Sequence, residues 1–223
     1  MNRIFISISL IFLFVACSPE QSGTGDEPKP SGLDPELIDT PDLNIVDIPK
    51  PIPQVTDISN EAKQAKTAIG IFSKSLSSEL KTAMVEGGPL NAIEVCNSSA
   101  MPITKQVSAE QGLELSRVSL KNRNPANAPN DWQKQTLELF EQQQASGADP
   151  ATLVWSSIAD VYGEKQFRYM KAIPTAAICL TCHGRNIAPD VSEKLAELYP
   201  DDKATGYSEG ELRGAFVVTQ NLP

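Results

Sequence analysis

Between residues 60 and 86, apolar side chains recur about every fourth position: Ala65, Ile69, Phe72, Leu76, Leu80 and Met84. That spacing predicts an amphipathic helix, which stops at Gly87-Gly88. A second, shorter helix carrying Cys96 is predicted from Pro89 or Leu90 to about Ala100. "LELSRVSL", residues 113–120, alternates apolar and polar positions and reads as a strand, and the following "KNRNPANAPND" has loop chemistry. Asn130 or Asp131 can cap a helix to about Ala145, with Trp132, Leu139 and Phe140 contributing to its apolar side. Two strand-like stretches follow near 152–158 and 165–173, then a short helix near 189–198. The last strand, "ELRGAFVV", is predicted to place Leu212, Gly214, Phe216 and Val218 on one face. Helices first and strands mostly later, with short connections, predict an antiparallel sheet covered by helices, an α+β domain.

The first 58 residues follow neither period. Arg3 precedes an apolar run from Ile4 to Val15, shorter than the roughly 20 residues needed to cross a bilayer. It reads as a signal peptide over residues 1–16. The run ends at Ala16-Cys17, which resembles the lipobox of bacterial lipoproteins, with Phe14 where Leu is usual. The expected outcome is an acylated Cys17, a lipid anchor on an exported, periplasm-facing protein. Ser18 in place of Asp favours the outer membrane. Residues 17–58 hold eight of the 17 prolines, with nine acidic residues against Lys29 and Lys50. Such a segment buries too little apolar surface to offset its ordering entropy and reads as an extended tether. Of the formal charge of −9, the tether carries −7 and the leader +1, leaving −3 for residues 59–223. The acidity belongs to the tether, and it argues against nucleic acid as a partner.

The remaining 165 residues are enough for one domain with a core of its own. They contain the single histidine of the chain, in "AAICLTCHGRN". Cys179, Cys182 and His183 form Cys-x-x-Cys-His, the spacing at which two thiols on one helical turn can bond the two vinyl groups of one porphyrin, with the adjacent imidazole facing the iron. One covalent haem c is the cofactor this predicts. With Cys17 assigned to lipid, Cys96 is left unpaired in an exported protein. No second histidine exists to complete the iron. Cys96, as thiolate, is a candidate for the opposite axial position, and Met84, Met101 and Met170 are the alternatives. A buried, inert Cys96 is the plain reading. Cys96, Cys179, Cys182 and His183 also make a Cys3His inventory for structural zinc, although zinc sites commonly use two local ligand pairs. Arg117 and Arg123 lie between the cysteine helix and the haem motif, and planar guanidinium groups bind propionates well. Gly214 would permit close approach of the porphyrin or of a neighbouring strand.

The segments "NAIEVC", "SRVSLKNRNPANAPNDWQ", "ICLTCHG", "YPDDKATGY" and "GELRGAFVV" resemble, in this order and over about residues 60–220, a bacterial family of exported c-type haem domains long catalogued as a domain of unknown function. The resemblance implies a PAS-like fold, with an antiparallel sheet, a long N-terminal helix and flanking helices. It also implies axial ligation by the histidine of the motif and the cysteine of the "A-I-x-V-C" helix, here His183 and Cys96. Redox or gas sensing has been proposed for such domains.

A thiolate donor stabilises ferric iron and should set a low reduction potential. No distal acid-base residue of the kind a peroxidase needs is evident, because the only histidine is already used. The sequence therefore favours a redox or gas sensor whose partner is a redox protein or a diatomic gas. An electron-transfer cytochrome is the alternative, and catalysis ranks behind both.

Overall fold

In the computed structural model of the protein, residues 58–223 are described, so the predicted signal peptide, Cys17 and nearly all of the tether lie outside the described residues. Helix α1 (Ser59–Gln111) is broken by one non-helical residue, Gly88 (φ 69°, ψ −162°). The φ value is one that glycine adopts without penalty, and Pro89 then supplies a fixed φ for the first turn of the second arm. Asn91 Nδ2 closes the bend by donating to the Ala83 carbonyl at 3.2 Å. The Gln64 side chain donates to the Gln111 carbonyl, so the start of the first arm lies beside the end of the second. The two arms form an antiparallel hairpin.

The second arm outruns its predicted end near Ala100 and continues to Gln111. Pro102 removes one backbone donor, but beyond it Val107 is buried and Ile103 packs against the same cluster. Tertiary packing outweighs one lost hydrogen bond. The arm ends at Gly112, whose left-handed conformation (φ 64°) caps it.

Strands β1 (Glu114–Val118), β2 (Val154–Val161), β3 (Glu164–Pro174) and β4 (Leu212–Asn221) form one antiparallel sheet in the order β1-β4-β3-β2. Tyr162 (φ 56°) and Gly163 (φ 87°) make the tight β2–β3 turn. On one face Leu115, Phe167, Tyr169 and Val218 meet Ala65, Ala68, Ile69 and Phe72 of α1. The other face buries Val118, Met170, Ala172, Ala215 and Val217 against Leu137 and Phe140 of α2 (Asp131–Ala145). Both faces are thus covered, as an α+β sheet with flanking helices requires. Asn130 starts α2 with a capping box, its side chain accepting from Gln133 N at 3.2 Å and Gln133 Oε1 accepting from Asn130 N at 2.9 Å. Leu137 rather than Leu139 completes the buried side of this helix; Leu139 is 38 % exposed.

The last strand departs from its predicted alternation. Phe216 and Val218 face the α1 side, but Leu212 packs with Ala215 and Val217 on the α2 side. The cause is a bulge: Ile173 pairs with Gly214 and Pro174 with Leu212, leaving Arg213 as the extra residue. Gly214 makes the bulge possible. A Cβ there would fall 2.3 Å from the Val118 carbonyl oxygen and 3.1 Å from Ser119 Cβ, so the close approach is by a neighbouring strand. Gly214→Ala is expected to cost about 2 kcal/mol or more. By contrast, Gly70→Ala, with nothing within 4 Å of the new methyl, should gain about 0.5–1 kcal/mol in its helix. Urea midpoints of the two variants, moving in opposite directions at constant slope, check both.

Candidate cofactor site

After β3 the chain makes a single turn of 3-10 helix, Ala177–Cys179, that runs directly into the short helix α3 (Leu180–His183). Helical geometry puts Cys179 and Cys182 on the same side, three positions apart, with His183 closing the turn. Gly184 N then donates to the Leu180 carbonyl at 2.9 Å. A Cβ on Gly184 would lie 2.5 Å from that same oxygen, which explains the glycine after the histidine. Helix α4 (Pro189–Leu198) follows, and its Val191, Leu195 and the adjoining Tyr199 pack on Ile93 of α1.

The segment after α4 returns to hold the histidine. Tyr207 N donates to the His183 carbonyl at 3.0 Å and Gly206 N to that of Gly184 at 2.9 Å. His183 Nδ1 stands 2.7 Å from the Ala204 carbonyl oxygen. A carbonyl can only accept, so Nδ1 carries the proton and Nε2 keeps the lone pair. Burial, with Arg213 and Arg123 nearby, drives the His183 pKa down to about 3 despite the Ala204 bond. The ring is neutral at physiological pH, as an iron ligand must be.

A cavity of about 240 Å³ opens against this turn. The first arm of α1 supplies Leu76, Leu80 and Met84 and the second Ala92, Ile93, Cys96 and Ala100, each set spaced by three or four residues along one face of its helix. Cys179, Cys182 and His183 line the other wall. All four predicted sulfur and nitrogen donors therefore border one apolar space. Burial pushes the Cys96 thiol above its usual range, opposed by the charges of Arg117 and Arg123.

Both predicted arginines also line the cavity, in different states. Arg117, on β1, sits over the Phe72 ring at 5.2 Å, and among the described residues it enters no ion pair. Arg123 pairs with Asp202 at 3.0 Å and donates through Nη2 to the Cys182 carbonyl, so it binds the motif's own backbone. Sequence reasoning missed Arg213. Strict alternation would aim it at the α2 side, and the bulge turns it into the cavity, with Nη1 donating to Ser119 Oγ at 3.1 Å. Tyr199 and Ala204 were missed as well. No side-chain chemistry marks a carbonyl donor such as Ala204, and only the fold brings it to His183.

Met84 and Met101 line the cavity, whereas Met170 is fully buried in the cluster around Leu137 and Phe140. Among the described residues, no three Cys, His, Asp or Glu side chains converge as a metal-binding group, so the Cys3His set is spread around a space rather than gathered on a point. A larger, open groove of about 890 Å³ lies between the end of α1 and the adjoining sheet residues. It contains Met101 but none of the other predicted residues.

Comparison with known proteins gives the same outline. None of the curated proteins matches the chain. The cyanobacterial heme-protein Tll0287, whose crystal structure is solved, is 26 % identical and superposes with a TM-score of 0.54, over 74 % of this chain and 97 % of that one. Residues 53–221 match the model of the Tll0287-like family, a span that holds the kinked helix, the whole sheet and the Cys-x-x-Cys-His turn, and the chain belongs to that family.

Proposed function

We propose that the chain is a monohaem c-type cytochrome acting as a redox or gas sensor, exported and held on the periplasmic side of a membrane, with the outer membrane favoured, by a lipid on Cys17. The observation that carries the haem reading is the cavity itself: a Cys-x-x-Cys-His turn on one wall, with the imidazole proton fixed on Nδ1, and a lone cysteine on the opposite helix. The residues present fit the group. Apolar side chains of α1 and Ile178 would cover its faces, and Arg117, a half-buried cation that enters no ion pair among the described residues, suits an anionic occupant. The relative Tll0287 is itself a heme-protein.

When bound, haem supplies a one-electron iron couple. Cys179 and Cys182 would hold it covalently, and His183 Nε2 and Cys96 Sγ would stand as its two axial donors. Arg117 and Arg123 are the proposed propionate partners, Arg123 with the donors that Asp202 and Cys182 leave free. Catalysis ranks behind both roles, because among the described residues the cavity lining holds no carboxylate and its histidine is already assigned. A sensor is preferred over an electron carrier because Cys96 lies one turn beyond Ile93, which packs on α4 in a cluster separate from the two that cover the sheet. Such a segment can move without disturbing the main core.

Protein made with the c-type maturation machinery is expected to be red, to keep one haem through acid-acetone extraction and to give a c-type pyridine haemochrome. A colourless product would overturn the cofactor. Mixing the reduced protein with carbon monoxide then tests the role. A Soret shift accompanied by faster hydrogen exchange over residues 90–101 is expected as Cys96 leaves, and an unchanged spectrum over hours would identify an electron carrier.

A further inference from the structure

One carboxylate reaches the C-terminal end of the Cys-x-x-Cys-His turn by two routes. Asp202 Oδ2 accepts from Arg123 Nε at 3.0 Å, with the two side chains only 11 % and 12 % exposed. Its other oxygen, Oδ1, accepts from the backbone N–H of Ala204 at 2.8 Å. Ala204, fully buried, presents its carbonyl to His183 Nδ1 at 2.7 Å. Arg123 Nη2 donates to the carbonyl of Cys182. Two chains of hydrogen bonds therefore diverge from Asp202, one reaching the imidazole of the motif and the other its peptide backbone.

We infer that Asp202 is the positioning residue of this site: it fixes the Ala204 carbonyl that orients His183, and it neutralises Arg123 where that guanidinium holds Cys182. The inference rests on the haem reading of the same cavity. A carbonyl whose own residue's amide is tied to Asp202 is restrained from swinging away from Nδ1–H, which keeps both the ring angle and the tautomer, and losing the outer partner of a ligating histidine typically costs about 10–100-fold in metal affinity or activity. Without the carboxylate, Arg123 joins Arg117 and Arg213 as a cavity-lining cation that enters no ion pair among the described residues, and the added positive charge would disfavour the ferric state. A purely structural ion pair would affect stability and leave the potential alone.

The test uses the haem-loaded full chain and three variants: Asp202→Asn, Asp202→Ala and the double variant Arg123→Gln/Asp202→Asn. Asparagine keeps an acceptor for Ala204 and loses the charge, whereas alanine loses both. The ferric-to-ferrous equilibrium is expected to shift about tenfold towards ferrous iron in Asp202→Ala, about 59 mV for one electron, and less in Asp202→Asn. It should return towards wild type in the double variant, where the unpaired guanidinium is gone. Ferric electron paramagnetic resonance should broaden in Asp202→Ala only, as the ring loses its fixed angle. Wild-type potentials in Asp202→Asn and Asp202→Ala overturn the inference. If Asp202→Ala does not accumulate, a wild-type potential in Asp202→Asn overturns it alone. Wild-type protein without haem would overturn the cofactor reading instead. The ring nitrogens of His183, read by ¹⁵N resonance in that haem-free protein, would still decide: a single Nδ1–H tautomer that becomes a mixture in Asp202→Ala supports the positioning role, and an unchanged ring refutes it.

Discussion

Cys179→Ala/Cys182→Ala protein is expected to be colourless after purification, or to surrender any colour to acid-acetone. The two thiols sit one helical turn apart on the wall of the cavity, and no other cysteine shares that turn. With both removed, His183 and Cys96 could only coordinate, and a coordinated group exchanges with solvent whereas a thioether does not. The loss should extend to stability. The cavity is walled by apolar residues of α1, and an occupant bound to the folded state alone, at a thousandfold excess over its dissociation constant, contributes roughly 4 kcal/mol. For a domain of this size that is a fall of about 10 °C in the melting temperature. Single variants provide the internal control: Cys179→Ala and Cys182→Ala should each retain one covalent bond and a red colour, with a shifted pyridine haemochrome. Unextractable haem in the double variant would refute attachment at these residues.

Replacement of Cys96 by alanine or serine should produce the largest change in potential. Two effects act with the same sign. On the proposed ligation an anionic sulfur donor would be lost from the ferric iron, and Arg117, which enters no ion pair among the described residues, would lose the thiolate charge that offsets its own. Together these should move the ferric-to-ferrous equilibrium by about a hundredfold or more towards ferrous iron, roughly 120 mV for one electron. Spectroelectrochemistry measures the shift, and ferric electron paramagnetic resonance identifies the donor. Serine offers only a weak neutral oxygen, so both variants should resemble each other more than either resembles wild type. Identical resonance spectra in wild type and both variants would pass the axial role to Met84 or Met101, the two methionines that line the cavity; Met84→Leu then separates them.

The parts of this molecule that were legible in its sequence are those with a local cause. Period-four spacing in residues 60–86, the glycine pair that ends it, the Asn130 cap and the alternating strands each reflect a rule that operates within a few residues. The Cys-x-x-Cys-His turn was equally plain, because its chemistry requires adjacency. Non-local packing decided the rest. The second helix is predicted to end near Ala100, yet burial of Val107 on the core carries it through Pro102 to Gln111. Alternation sends Arg213 away from the site, but a bulge that Gly214 permits reverses it. Elimination leaves Cys96 beside three methionines as a candidate partner for His183 and the family resemblance singles it out, since nothing in a linear pattern shows that an α1 hairpin folds its second arm over a turn more than eighty residues later. The Ala204 carbonyl is the extreme case, because every residue has one.

The strand order has a consequence for how the molecule comes together. β4, the last strand in the chain, lies in the interior of the sheet, between β1 and β3. The β2–β3 hairpin can form as soon as its own residues are available, but β1, joined to α1 by Gly112 and Leu113, has no partner until β4 arrives. Residues 179–183 thus precede the segment that closes the sheet, and Arg213 belongs to it. A chain whose β4 has not yet docked has the Cys96 hairpin and the Cys-x-x-Cys-His turn without the sheet that sets them facing each other. The cavity and the finished sheet are products of the same late event, and because its contacts span the greatest separations along the chain, that event should also be the slowest in the assembly of the domain.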